Sequence, residues 1–315
     1  MTIARRHLGT LALIAAGVWG CAHPYRDAVG SYATVAGDSI KSLSSIPTTA
    51  VTICQKRALA RYLKLHLNVG TSPPPQWEPY YTAQGGADGT LSWKDYCGDI
   101  QATGKNFAAL LGLLTTYSTA MKSLASSGTW DGTPVKTVTS SLSNLVGAKT
   151  SVGQVLAGLG SPAQHLGVAI AACYADHEIH EFARVADRSI QDILDGLDRY
   201  VVAIETDVVE PARKERVEAV ELLETKGNVW TGPLDASRAI VFVNYAKSVD
   251  DDVLDIASTF ASFKTLVAKL KAGHSALAKD QPEKSSTSDV VAAVADIISA
   301  LTQVGTAISV KSSSN

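Results

Sequence analysis

The stretch Phe182-Ala-Arg-Val-Ala186-Asp-Arg-Ser-Ile190-Gln-Asp-Ile193-Leu-Asp-Gly-Leu197-Asp-Arg-Tyr-Val201-Val-Ala-Ile204-Glu-Thr-Asp-Val208 decides the fold class. Its apolar positions Phe182, Ala186, Ile190, Ile193, Leu197, Val201, Ile204 and Val208 advance by 4, 4, 3, 4, 4, 3 and 4 residues. Only an α-helix brings such positions onto one side of the chain. The eleven-residue intervals from 182 to 193 to 204 lie near the period of a straight helix rather than a supercoiled heptad. Pro211 follows and is predicted to kink the helix or restart it in Glu210-Pro-Ala-Arg-Lys-Glu-Arg-Val217, a charged run expected to lie in solvent.

Working outward, the same pattern recurs. Ala239, Phe242, Ala246, Val249, Val253, Ile256, Phe260, Phe263, Val267, Leu270, His274 and Leu277 form a heptad seam between an N-cap at Asp235 and Pro282. A further seam runs Tyr96, Ile100, Phe107, Leu110, Leu114, Tyr117, Met121 and Leu124. Shorter helices are predicted at about 25–46, 48–67, 134–158 and 288–309, the last preceded by Ser288-Asp289. No segment alternates in the manner of a strand. The expected fold is all-α: an elongated antiparallel bundle of long helices with coiled-coil-like seams. The main interruption is a loop at about 68–92 carrying Pro73-Pro-Pro75, Trp77, Tyr80 and Tyr81. Those aromatics could anchor a partner or pack back onto the bundle.

Near the start, Arg5 and Arg6 precede a short apolar run from Leu8 to Val18, too short to span a bilayer. It ends in Val18-Trp19-Gly20-Cys21, which resembles the lipobox of bacterial lipoproteins. The resemblance implies that residues 1–20 are a signal peptide and that Cys21 becomes a lipidated N-terminus. It also implies an envelope location, with the outer membrane facing the periplasm favoured in a Gram-negative cell because residue 22 is Ala. Arg5-Arg6-His7-Leu8 leaves both general and twin-arginine export open. The alternative is that residues 8–20 are an ordinary buried helix. Residues 21–315 then read as one helical-bundle domain.

With a net charge of −2 there is no basic field for nucleic acid. Aromatic residues make up 6%, so the core must be built of Ala, Val, Leu and Ile. Once Cys21 carries lipid, Cys54, Cys97 and Cys173 remain, and an odd number leaves one thiol over. Cys54 and Cys97 flank the long loop and are predicted to pair.

The cluster Cys173-Tyr-Ala-Asp-His177-Glu-Ile-His180-Glu181 has metal-ligand residue types at 4, 3 and 4 spacing with Arg184. The His-Glu-x-x-His pattern of metal proteases is absent, since the second histidine comes one residue early. The paired Glu-x-x-His of di-iron bundles also fails. Surface histidines are expected, with no metal or other cofactor. Asp250, Asp251 and Asp252 splay around their helix and read as a solvated face. His274, on a seam, reads as a hydrogen-bonded core histidine. No nucleophile elbow, phosphate loop or dinucleotide fingerprint occurs, and a non-enzyme is expected.

From Ser151 to Tyr174 no formal charge occurs apart from His165, and small residues recur four apart at Ala163, Gly167 and Ala171. Joined at Gly160-Ser-Pro162, this hairpin could pack within the bundle or enter a bilayer. The latter layout resembles that of α-helical pore-forming toxins. The sequence therefore favours a lipid-anchored scaffold or interaction module with an envelope protein partner. The alternatives are a membrane-active protein inserting residues 151–174, or an unrecognised metal binder or enzyme. Seams of this length also suit a homodimer.

Overall fold

The computed structural model describes residues 24–69, 78–83, 90–127, 149–172, 179–226, 259–279 and 284–313. These residues form an all-α helical bundle, and no strand occurs among them. In chain order the helices are α1 (Pro24–Ser42), α2 (Ile46–Val69), α3 (Glu78–Thr82), α4 (Trp93–Ser127), α5 (Ser151–Ala157), α6 (Gly160–Ala172), α7 (Ile179–Ile204), α8 (Glu210–Lys226), α9 (259–277) and α10 (Lys284–Ser313). A 3-10 turn, Leu43–Ser45, joins α1 to α2. The signal segment with Cys21, the loop residues 70–77 including Trp77, Cys173, His177, and the first half of the 239–277 seam with Asp250–Asp252 lie outside the described residues.

Every position of the α7 seam is buried, from Phe182 to Val208. Every residue of the Tyr96–Leu124 seam is buried too, as are Phe260, Phe263, Val267, Leu270, His274 and Leu277 of α9. Together with the apolar face of α1 these make one core. Registers read from individual contacts are antiparallel. Phe107 meets Tyr200 and Tyr117 meets Phe182, in both cases with ring centroids 5.0 Å apart. Tyr25 and Tyr32 of α1 donate to the carbonyls of Leu277 and Leu270 on α9, each at 3.1 Å. A Cβ on Gly30 would lie 3.5 Å from Ala125, so the start of α1 abuts the end of α4.

Local chemistry sets the ends. Ser92 accepts from the Asp95 N–H at 3.0 Å and donates to its carboxylate at 2.7 Å, closing the first turn of α4. Asp99, in the second turn of α4, holds the residues that lead into α5 by accepting from the Lys149 and Thr150 N–H groups at 3.1 and 2.8 Å. Cys54 and Cys97 form a disulfide with Cα atoms 5.7 Å apart, stapling α2 to α4 as the sequence predicts.

The chain restarts at Pro211, one of the two outcomes the sequence allows: α8 begins at Glu210. The chain first passes through a π-helical turn, Glu205–Val209, in which the Glu210 N–H bonds the Glu205 carbonyl five residues back. Proline lacks the N–H that would bond the carbonyl four residues earlier, on Asp207. That carbonyl instead accepts from Arg57 Nη1 at 3.1 Å and from Tyr96 Oη at 3.3 Å. Two boundary expectations are corrected. The final helix begins at Lys284, ahead of Ser288-Asp289, and Asp289 is held by Lys279 at 2.7 Å. Within 68–92, Glu78–Thr82 is helical, with Pro79 in its first turn.

The uncharged hairpin is α5 and α6. It packs on α7 and α4 through Val152, Leu156, Leu159, Ala163, Leu166 and Ile170, all buried, while Val168 on the outer face is 67% exposed. Leu159 fills the space above Gly196, where a Cβ would lie 2.3 Å from its Cδ1. Among the described residues no helix is long and apolar enough to cross a membrane.

Candidate functional site

Where α2 and α8 lie side by side, their charged rows face each other. Arg57, Arg61 and Lys64 recur at intervals of four and three on α2, and Glu215 and Glu218 stand three apart on α8. Arg57 donates from Nε and Nη2 to Glu215 Oε1, both at 3.3 Å. Arg61 Nη1 reaches the same oxygen at 3.8 Å, and Lys64 pairs with Glu218. The run beginning at Glu210 is therefore not a solvated face throughout: the Glu215 side chain is only 14% exposed. Burial pushes its carboxyl above the ordinary value of 4.5, against the opposing pull of Arg57, Arg61 and Lys64.

Beneath the arginines lies the fully buried indole of Trp93, with guanidinium carbons 5.2 Å (Arg57) and 6.0 Å (Arg61) from its centroid. Trp93 Nε1 donates to Tyr80 Oη at 3.3 Å, and the Tyr80 ring sits 5.3 Å from that of Tyr62. Tyr80 and Tyr81 are thus half-buried against the core, the packing alternative weighed for the aromatic segment. The helical end of that segment, Glu78–Thr82, supports the floor of the charged rows. Above this floor opens a cleft of about 720 Å³, bordered by the π turn at Thr206, by Pro211 and by the exposed Leu65. Its lining carries four cations, Arg57, Arg61, Lys64 and Lys214, against three carboxylates, Glu210, Glu215 and Glu218.

A second polar group lies inside the core. His274 is 0% exposed; its Nδ1 is 2.8 Å from Asp187 Oδ1 and its Nε2 is 2.7 Å from Tyr117 Oη. Gln191 Nε2 also donates to Asp187, at 3.2 Å. The histidine bond holds the Asp187 carboxyl below its ordinary 3.8. A cavity of about 20 Å³ beside the imidazole, between Tyr32, Tyr117 and Leu270 among others, has room for a single water. This is the hydrogen-bonded core histidine that the seam predicts.

His180 does not point freely to solvent. It bonds the Lys279 carbonyl and lies with its ring 6.5 Å from that of Tyr25, because the end of α9 closes over the start of α7. Arg184 of the same face pairs with Glu181 at 2.6 Å. Among the described residues no group of three or more His, Cys, Asp or Glu side chains could hold a metal ion. Sequence reasoning missed the cleft. Its one available signal was the basic 4–3 spacing on α2, which matches the acidic spacing on α8. No family model, curated protein or solved structure matches this chain.

Proposed function

We propose that this protein is a lipid-anchored bacterial envelope protein, non-catalytic, that presents the α2–α8 cleft to a protein partner. The observation that carries this reading is the position of the cleft relative to the start of α1. Pro24 lies three residues after Cys21, the residue read as lipidated, and α1 begins against the end of α4 near Ala125. The cleft lies at the opposite end of α4, where Trp93 and Tyr96 meet Arg57 and Asp207. From residue 96 to residue 125 the helix rises about 43 Å. An anchor at one end and an open charged cleft at the other suit a device that reaches from a membrane toward a soluble partner.

The buried Cys54–Cys97 disulfide supports an oxidising compartment, in keeping with export. The seam helices supply rigid spacing, and buried His274 is committed to two hydrogen bonds.

The test is a photo-crosslinking side chain placed at Leu65, which lines the cleft and is 47% exposed, or at Val168 on the hairpin as a control. In intact cells Leu65 is expected to capture a discrete envelope protein that Val168 does not. Cys21→Ser is expected to move the protein out of the membrane fraction. Identical adducts from both positions, or none from Leu65, would refute the interaction reading.

A further inference from the structure

The basic row Arg57, Arg61, Lys64 runs about 10 Å along α2. α8 answers it incompletely. Glu215 Oε1 is shared between two guanidiniums, at 3.3 Å from Arg57 and 3.8 Å from Arg61. Arg61 remains 43% exposed at the mouth of the cleft, and Lys214 adds a further exposed cation from α8. Resting on the interaction reading above, we infer that the cleft binds an acidic, extended peptide segment of the partner, with its carboxylates at Arg61, Lys64 and Lys214.

Spacing favours a peptide over a single small anion. Neighbours on the helical row stand about 5–6 Å apart. Alternate side chains of an extended chain recur at roughly 6.6 to 6.8 Å. Two carboxylates two residues apart therefore meet successive cations, whereas one phosphate reaches a single adjacent pair. The Trp93 ring, 6.0 Å from the Arg61 guanidinium carbon, restrains that side chain and lowers the freedom it loses on binding. A lipid headgroup is disfavoured by the length of α4 between the cleft and the start of α1. Glu218 already occupies Lys64 and acts as an internal competitor.

The experiment titrates the full-length protein, in neutral detergent, with fluorescein-labelled hexaglutamate and follows anisotropy. Saturable binding is expected, weakening as salt rises from about 20 to 300 mM. Arg61→Ala with Lys214→Ala should weaken it about tenfold, the loss of two exposed charge contacts. Glu218→Gln should tighten it severalfold by freeing Lys64, a gain that a purely structural ion pair does not predict. The inference is overturned if hexaglutamate fails to bind, if hexalysine binds as well, or if the double variant binds unchanged. It is likewise overturned if millimolar inorganic phosphate or phosphatidylglycerol vesicles displace the peptide completely. If Leu65 still captures a partner while hexaglutamate does not bind, the charge assignment falls and the interaction reading stands. If hexaglutamate binds as described but Leu65 captures nothing, the interaction reading falls instead.

Discussion

His274 and the α2–α8 cleft both set ionisable groups against aromatic rings, and they are completed differently. Around His274 both imidazole nitrogens have partners within 2.8 Å, and the imidazole is enclosed by α1, α4, α7 and α9. In the α2–α8 cleft four cations meet three carboxylates, and Glu215 Oε2 is buried without a hydrogen-bond partner. A satisfied buried network fixes one arrangement of the helices that contribute to it. An unbalanced one leaves charge available to something else. Residue type alone does not separate structure from recognition; the completeness of pairing does.

The largest expected effect breaks the cleft end while sparing the core end. Replacing Cys54 and Cys97 together by Ala removes a link across 43 residues of sequence. The chain-entropy model puts its contribution at about 4 kcal/mol. Hydrogen exchange should speed up most in α2 and α8, and uniform acceleration across α9 would show that the two ends are not separate in the way described.

Next, His274→Ala leaves the Tyr117 hydroxyl and the Asp187 carboxylate without their shared partner. A loss of about 3 kcal/mol is expected, read by urea unfolding. Hexaglutamate binding should be unaffected in the surviving folded protein, because the imidazole belongs to the other region.

The two carboxylates sharpen the contrast through pH. The folded state lowers the Asp187 pKa below 3.8, so its stabilisation is present above that value and is lost as pH falls through the lower folded value. Glu215 has the opposite sign. Its pKa is raised above 4.5, so its protonated form favours folding at low pH, and that contribution is lost as pH rises through the raised value. In a pH series of unfolding curves, Asp187→Asn should flatten the limb below 3.8 and Glu215→Gln the decline above 4.5. Flattening of the same limb by both would contradict the assignment. The smallest effect belongs to neither region: Val168→Asp, on the exposed side of α6, should change stability by less than about 0.5 kcal/mol.

Periodicity made the core legible. Phe182 to Val208 and Tyr96 to Leu124 are apolar at helical spacing, and each of those positions is buried. The same logic placed His274 on a seam, and the odd cysteine count with its flanking loop identified the Cys54–Cys97 pair. The cleft was not legible, because a charged row on an isolated helix looks the same in water as against a complementary row. Arg57 and Glu215 are 158 residues apart, and no local pattern joins them. The turn before Pro211 was hidden for a related reason. Proline announces a missing N–H, while the answer to it comes from Arg57 and Tyr96 on other helices.

That π turn also works as a change of phase. Hydrogen bonds reaching back five residues instead of four accommodate one extra residue, and each residue of an α-helix advances the side-chain direction by about 100°. Everything after Val209 is therefore rotated relative to a helix continued without the turn. In the rotated frame Ala212 faces the core at 1% exposure, and Glu215 and Glu218 face α2. A single-residue deletion between Glu205 and Val209 would leave the composition of α8 untouched and turn its acidic row away from the basic one. The cleft thus depends on a count of residues as much as on their chemistry.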